Sequence, residues 1–192
     1  MIGDPLRWNL DRVVVVGTSC SGKTTLARRL AGILGTPHVE LDSLHWGPEW
    51  TPHADFPSRV LEAVEQPRWV IEGNYSSVRD LVWRRCTSIV WLDYSFARVF
   101  SRALGRTVRR IVKRETLYSG NRETIRRSFF DLDGIPWWVV RTHRRRRREY
   151  PELLRRPEYG HAALIRLRSP AVAEEFLAGL RAVAAKSVGP VE

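Results

Sequence analysis

Gly17-Thr18-Ser19-Cys20-Ser21-Gly22-Lys23-Thr24 decides the reading of this chain, because it matches G-x-x-x-x-G-K-[ST] without a gap. The residue types fit one chemistry. Gly17 and Gly22 permit backbone angles that bring amide groups close around phosphate oxygens. A helix opening at Lys23 aims the positive end of its dipole at the same anion. The Lys23 ammonium reaches the β- and γ-phosphates, and the Thr24 hydroxyl is placed to ligate Mg²⁺. The flanks support the motif. Arg12-Val13-Val14-Val15-Val16 reads as a buried parallel strand. Residues 23 to 34 read as a helix with Leu26, Leu30, Ile33 and Leu34 on one face and Gly35 at its end. The expected ligand is ATP or a similar nucleoside triphosphate, held by residues 17 to 25, Thr25 included.

Outward from this motif, strands alternate with helices. Further strands are expected at 38–42, 69–73, 88–93 and 162–167, with short helices at 57–65 and 78–83. A long basic helix is expected over 96–114, broken at Ser119-Gly120-Asn121. A second helical region covers about 124–150, interrupted near Gly134-Ile135-Pro136, and Ser169-Pro170 can start the last helix. The alternation implies a three-layered α/β fold, a five-stranded parallel sheet covered on both faces, with a helical lid after the fourth strand. The length of 192 residues fits a single domain over 1–192, with the lid at about 98–150.

Composition narrows the setting. Two cysteines far apart, Cys20 and Cys86, suit a reducing cytoplasm and exclude a cysteine-rich zinc site. The first residues lack the basic and apolar regions of a signal peptide, and the apolar runs are strand-sized, so the expectation is a cytoplasmic protein without a membrane span. The net charge of +11 is localised: between Arg98 and Arg148 sixteen Lys or Arg face four Asp or Glu. Either a nucleic-acid surface or a phosphate-handling lid beside a solvated helix explains that excess. Trp137 and Trp138 beside Arg141 and the run 144–148 admit base stacking, or equally an aromatic seam inside a charged helix.

A phosphate loop is shared by kinases, GTPases, motor ATPases and transporters. The N/T-K-x-D base-reading motif of GTPases is absent, and the compact length favours a small kinase. The chain resembles the nucleotide-kinase-like group of phosphate-loop proteins, and more closely the bacterial topology modulation proteins. The segments that carry the resemblance are residues 17–25, Leu41-Asp42-Ser43-Leu44-His45-Trp46, Trp69-Val70-Ile71-Glu72-Gly73-Asn74-Tyr75, Trp91-Leu92-Asp93 and Gly120-Asn121-Arg122-Glu123. With their flanking elements they extend from residue 13 to about 170. The family label concerns DNA topology, whereas the residues look like those of a small-molecule kinase.

Comparison with adenylate kinases implies roles for particular residues. Ile71-Glu72-Gly73 lies where those enzymes have an apolar strand ending in Asp-Gly, so the resemblance makes Glu72 the acidic partner of Thr24 at Mg²⁺. Ser101-Arg102-Ala103-Leu104-Gly105-Arg106 is similar to the segment entering their lid, which gives Arg102 a place against adenine and Arg106 a place at the transferring phosphate. Guanidinium groups suit that task, being planar and permanently charged. Arg109, Arg110, Arg114 and Arg122 are further lid candidates. Arg102, Arg106, Arg109 and Lys113 recur at helical steps, as a solvated basic face also would.

Adenylate kinases follow their Asp-Gly with Pro-Arg, which binds the acceptor nucleotide. Here Asn74-Tyr75-Ser76 follows, with Arg79 later, a departure that weighs against a nucleoside monophosphate; the expected acceptor is a small one, a nucleotide or a hydroxyl-bearing metabolite. Asp42, expected to end the second strand at the ligand crevice, could accept the acceptor's hydroxyl proton or simply cap a turn. Asn74, Tyr75 and Arg79 are the other acceptor-side candidates, with His45 and Trp46 as further pocket candidates. Asp93, at the end of the fourth strand, is expected to be structural or to support the site from behind. The expected activity is transfer of the ATP γ-phosphate to a small acceptor by Lys23, Asp42, Arg102 and Arg106. The rival reading is a nucleic-acid-associated or regulatory ATPase.

Overall fold

The computed structural model describes residues 7–113, Ser119 and residues 135–187. The expected Gly120–Glu123 motif, the lid candidates Arg114 and Arg122, and the side chains of Arg110 and Lys113 lie outside the described residues.

Five strands form one parallel sheet: β1 (Arg12–Gly17), β2 (His38–Glu40), β3 (Trp69–Glu72), β4 (Ser88–Leu92) and β5 (Ala163–Leu167), in the order β2-β3-β1-β4-β5. The helices are α1 (Lys23–Leu34), α2 (Leu41–His45), α3 (Phe56–Glu65), α4 (Arg79–Trp83), α5 (Phe96–Lys113), α6 (Ile135–Leu153) and α7 (Pro170–Ser187). The expected three-layered α/β architecture is therefore found. None of the described helices is long and apolar enough to cross a membrane.

The reason for three layers is visible in β1. Val13 to Val16 are all fully buried, and successive side chains of a strand point to opposite faces. Val13 and Val15 join one core with Leu26, Leu30, Val70, Val90, Ile165, Phe176 and Leu177. Val14 and Val16 join the other with Val60, Val64, Ile71, Ile89, Trp83, Trp91 and Tyr150. Each valine buried in this way contributes about 1.5–3 kcal/mol against the entropy of ordering the chain. An unbroken β-branched run is therefore what a central strand covered on both sides requires.

The second strand is shorter than the sequence implies. It ends at Glu40, and residues 41 to 45 turn into α2, so Asp42 lies in the first turn of a short helix rather than at a strand end. The turn is held by Ser43 Oγ donating to the Glu40 carbonyl at 2.7 Å and by the Trp46 amide donating to the Asp42 carbonyl at 3.1 Å. It also needs Gly73, whose φ is +125° and whose absent Cβ would stand 2.9 Å from the Cβ of Leu41. Gly73→Ala is expected to lower stability by about 1–3 kcal/mol through strained backbone and overpacking, read as a fall in the denaturant midpoint at unchanged m-value.

Asp93 lies just after β4. Its buried carboxylate receives Arg166 Nη2 at 2.5 Å and Arg147 Nε at 2.7 Å, tying the end of β4 to β5 and α6.

Candidate active site

The loop between β1 and α1 forms a cradle at the carboxyl end of the sheet. Gly22 takes φ +97°, Cys20 takes +65°, and the Ser21 amide closes the turn by donating to the Thr18 carbonyl at 3.1 Å. Ser19 and Cys20 are half-buried, while Thr18 and Ser21 are buried. No side chain caps α1, and its first turn holds no acid. The first amides of this 12-residue helix thus lack a side-chain acceptor, the arrangement that favours an anion. Thr25 is exposed on the first turn.

Lys23, Thr24 and Glu72 come together across 48 residues of sequence. The Thr24 hydroxyl donates to Glu72 Oε1 at 2.6 Å, and Lys23 Nζ donates to the Thr18 carbonyl at 3.4 Å. Burial holds the Lys23 ammonium below the usual lysine range, with Arg146 adding to this and Glu72 and Asp42 opposing it. Burial likewise pushes the Glu72 carboxyl above its ordinary 4.5, against the pull of Lys23 and the Thr24 hydroxyl. A hydroxyl and a carboxylate side by side form a hard-oxygen donor pair, which fits Mg²⁺ held jointly with phosphate oxygens and water.

The Glu72 environment has a consequence for stability. A carboxyl raised by burial favours the protonated native state, so its contribution is full below pH 4.5 and is lost as pH rises through the folded value. In metal-free protein Glu72→Gln is expected to remove that decline, so the variant melts higher at neutral pH, and Mg²⁺ shifts its Tm less than it shifts that of the parent. A pair of Tm-versus-pH profiles with and without Mg²⁺ checks both points.

Asp42 borders the phosphate cradle, close enough to Lys23 and Glu72 to influence both electrostatically. Tyr75 donates its hydroxyl to Asp42 Oδ1 at 2.5 Å. Asn74 and Arg79 are engaged with the chain itself. Asn74 Oδ1 accepts Arg79 Nε at 3.1 Å, Asn74 Nδ2 donates to the Tyr150 hydroxyl at 3.2 Å, and the Arg79 guanidinium lies 5.7 Å from the Trp83 ring.

From α5, Arg102 Nη1 donates to the Ser21 carbonyl at 3.1 Å while its guanidinium lies over the Tyr94 ring at 5.6 Å. Arg106 is half-buried, and its Nε is buried with no hydrogen-bond partner among the described residues. Ser119 Oγ donates to the Trp46 carbonyl at 2.8 Å, joining residue 119 to the chain after α2.

One residue at this site was not singled out by the sequence reading. Arg146 Nη1 donates to the Gly17 carbonyl at 3.0 Å, in the phosphate loop itself. Its neighbours in the arginine run go elsewhere: Arg147 to Asp93, Arg145 to Glu149, and Arg144 and Arg148 outward. Helical spacing was the available signal. His143, whose Nε2 donates to the Tyr94 carbonyl at 3.0 Å, and buried Tyr150 face inward, which turns the intervening Arg146 and Arg147 toward the sheet.

The fold is that of shikimate kinases. Shikimate kinase from Acinetobacter baumannii, in complex with shikimate, aligns at a TM-score of 0.52 and 16% identity over 96% of this chain and 99% of that one. The enzyme from Bacteroides thetaiotaomicron gives 0.51 and 17% over 91% and 98%, and that from Aquifex aeolicus 0.50 and 17% over 93% and 99%. At such identities the likeness is one of fold. No family model matches the sequence, and no curated protein does.

Proposed function

We propose that this protein is an ATP-dependent kinase that transfers the γ-phosphoryl group of ATP to a hydroxyl group of a small acceptor. The observation that carries the reading is the position of Asp42, a carboxylate bordering the Lys23–Thr24–Glu72 cradle and held by the Tyr75 hydroxyl. A phosphate cradle alone binds a nucleotide; a carboxylate beside it supplies a partner for an acceptor proton. The shared fold of shikimate kinases, one of them in complex with shikimate, supports the reading by analogy of fold.

In this reading residues 17–25 hold the triphosphate, and Thr24 and Glu72 hold Mg²⁺. When bound, the metal neutralises charge on the phosphate oxygens. Asp42 orients the acceptor hydroxyl and takes its proton as the acceptor oxygen bonds to the γ-phosphorus. The bond from that phosphorus to the β–γ bridging oxygen breaks, and ADP leaves with the electron pair. Lys23 stabilises charge at the transferring group, and Arg102, Arg106 and Arg146 are the arginines on the lid side that assist it. Asn74, Tyr75 and Arg79 shape the acceptor side, directly in the case of Tyr75 and through their mutual hydrogen bonds in the other two.

A second reading has its own observation. The outward stripe of α6 presents Trp137, Arg141, Arg144 and Arg148 at helical spacing, which suits a nucleic-acid-associated ATPase of the kind the topology modulation label implies. One assay separates the two: ADP release from ATP·Mg²⁺ with a panel of nucleoside monophosphates and hydroxyl metabolites, with and without DNA. Acceptor-dependent ADP with an equal amount of phosphorylated acceptor supports the kinase; ADP that forms only with DNA supports the alternative and overturns it.

A further inference from the structure

Lys23 has two carboxylates near it, and a neutral hydroxyl holds each of them. The Thr24 hydroxyl donates to Glu72 Oε1 at 2.6 Å, and the Tyr75 hydroxyl donates to Asp42 Oδ1 at 2.5 Å. Among the described residues no salt bridge joins the Lys23 ammonium to either acid. Its hydrogen bond goes to the Thr18 carbonyl and is long, at 3.4 Å. Yet the charges of Glu72 and Asp42 both act on it. Opposite charges at such a site attract more strongly than in water, and their natural end is a charge-assisted hydrogen bond. An ammonium closed onto a carboxylate is lost to a phosphate until that pair is broken.

Glu72 is held by the residue next to Lys23, whereas the restraint on Asp42 comes from 33 residues away. Its donor is fixed by rings. The Tyr75 phenol packs against His45 at 4.5 Å and Phe56 at 5.2 Å between centroids, and His45 meets Phe56 at 4.7 Å and Trp46 at 4.5 Å. Phe56 is buried. Asp42 and His45 lie one turn apart on α2, so the helix that carries the carboxylate also carries part of the clamp on the tyrosine. The arginines nearby are committed: Arg79 to Asn74, Arg146 to Gly17 and Arg102 to Ser21. Burial holds His45 toward its neutral form. A half-buried carboxylate deprived of its donor takes another, because leaving it unsatisfied is costly. For Asp42 that other donor is Lys23.

We propose that Tyr75 is a positioning residue whose hydroxyl holds Asp42 off Lys23, keeping the ammonium available to a phosphate and the carboxylate available to an acceptor. The assignment rests on the kinase reading above for the identity of the ligand, a nucleoside triphosphate. It gives the ring cluster around His45 a task, which is to fix one hydroxyl.

The test is a double-mutant cycle on the full chain, read by calorimetric binding of adenylyl imidodiphosphate with Mg²⁺, so that no acceptor has to be known. Tyr75→Phe keeps the ring contacts and removes the proton. It should weaken binding about tenfold, because Asp42 then competes for the ammonium. In the Asp42→Asn background the competitor is gone, and the same Tyr75→Phe step should cost less than about twofold. A merely structural role for Tyr75 predicts equal losses in the two backgrounds. If Tyr75→Phe fails to fold, para-fluorophenylalanine at residue 75 fills the space of the hydroxyl without its proton and takes its place in the cycle. Equal losses, or no loss with Asp42 present, overturn the proposal and leave the kinase standing. The expected coupling without phosphorylation of any acceptor supports the proposal and sinks the kinase reading. An analogue that does not bind the parent protein overturns both.

Discussion

Lys23→Met is expected to lower kcat/KM for phosphoryl transfer by about a hundred- to a thousandfold, the loss of about 2.7–4 kcal/mol of transition-state stabilisation. The size follows from where the ammonium sits. It stands at the first turn of an uncapped helix, with Nζ on the Thr18 carbonyl at 3.4 Å and Glu72 and Asp42 as its counter-charges. The surroundings already burden the ammonium by burial, so it interacts with a developing phosphoryl charge at low local dielectric, where each interaction is stronger than in water. Methionine keeps most of the side-chain length and loses the charge. The circular dichroism spectrum should be unchanged, so that lost turnover is not lost fold. A variant retaining more than about a tenth of parental kcat/KM would refute the assigned role, since that residue is worth at least tenfold more at such a site.

Asp42→Asn carries the second large effect, a fall in kcat of about a hundred- to ten-thousandfold with KM for the acceptor changed by no more than a few-fold. The substitution is nearly isosteric, and asparagine Oδ1 can still accept the Tyr75 hydroxyl that now meets Asp42 at 2.5 Å. What disappears is the capacity to take a proton. If Asp42 only secures the first turn of α2, the variant turns over normally and loses stability alone. Steady-state kinetics beside a thermal melt distinguish the two outcomes.

The parts of this molecule that could be read in its sequence share a property: their signal is local and regular. The Val13–Val16 run and the fixed spacing from Gly17 to Thr24 carry their meaning within twelve residues, and the alternation of strands and helices that yields the layered sheet is regular along the chain. The shift of Asp42 from strand end to helix was hidden because α2 has only five residues, too few for an apolar period to show. The Tyr75–Asp42 contact joins residues 33 apart, and nothing in either segment announces the other. Arg146 was hidden differently. In a run of five identical arginines composition is silent, and only the helical phase set by His143 and Tyr150 separates the one that meets Gly17 from those that meet Asp93, Glu149 or solvent.

The two arginines on phosphate-loop carbonyls also act at a remove. A trans peptide unit is a rigid plate whose C=O and N–H point in opposite directions. By gripping the Gly17 carbonyl, Arg146 turns the Thr18 amide away from α6; by gripping the Ser21 carbonyl, Arg102 turns the Gly22 amide away from α5. Two plates of the loop are thus oriented by fixed charges behind them. Helices far along the chain thereby prepare the polarity of the loop, and the reorganisation otherwise needed when an anion arrives is done in advance.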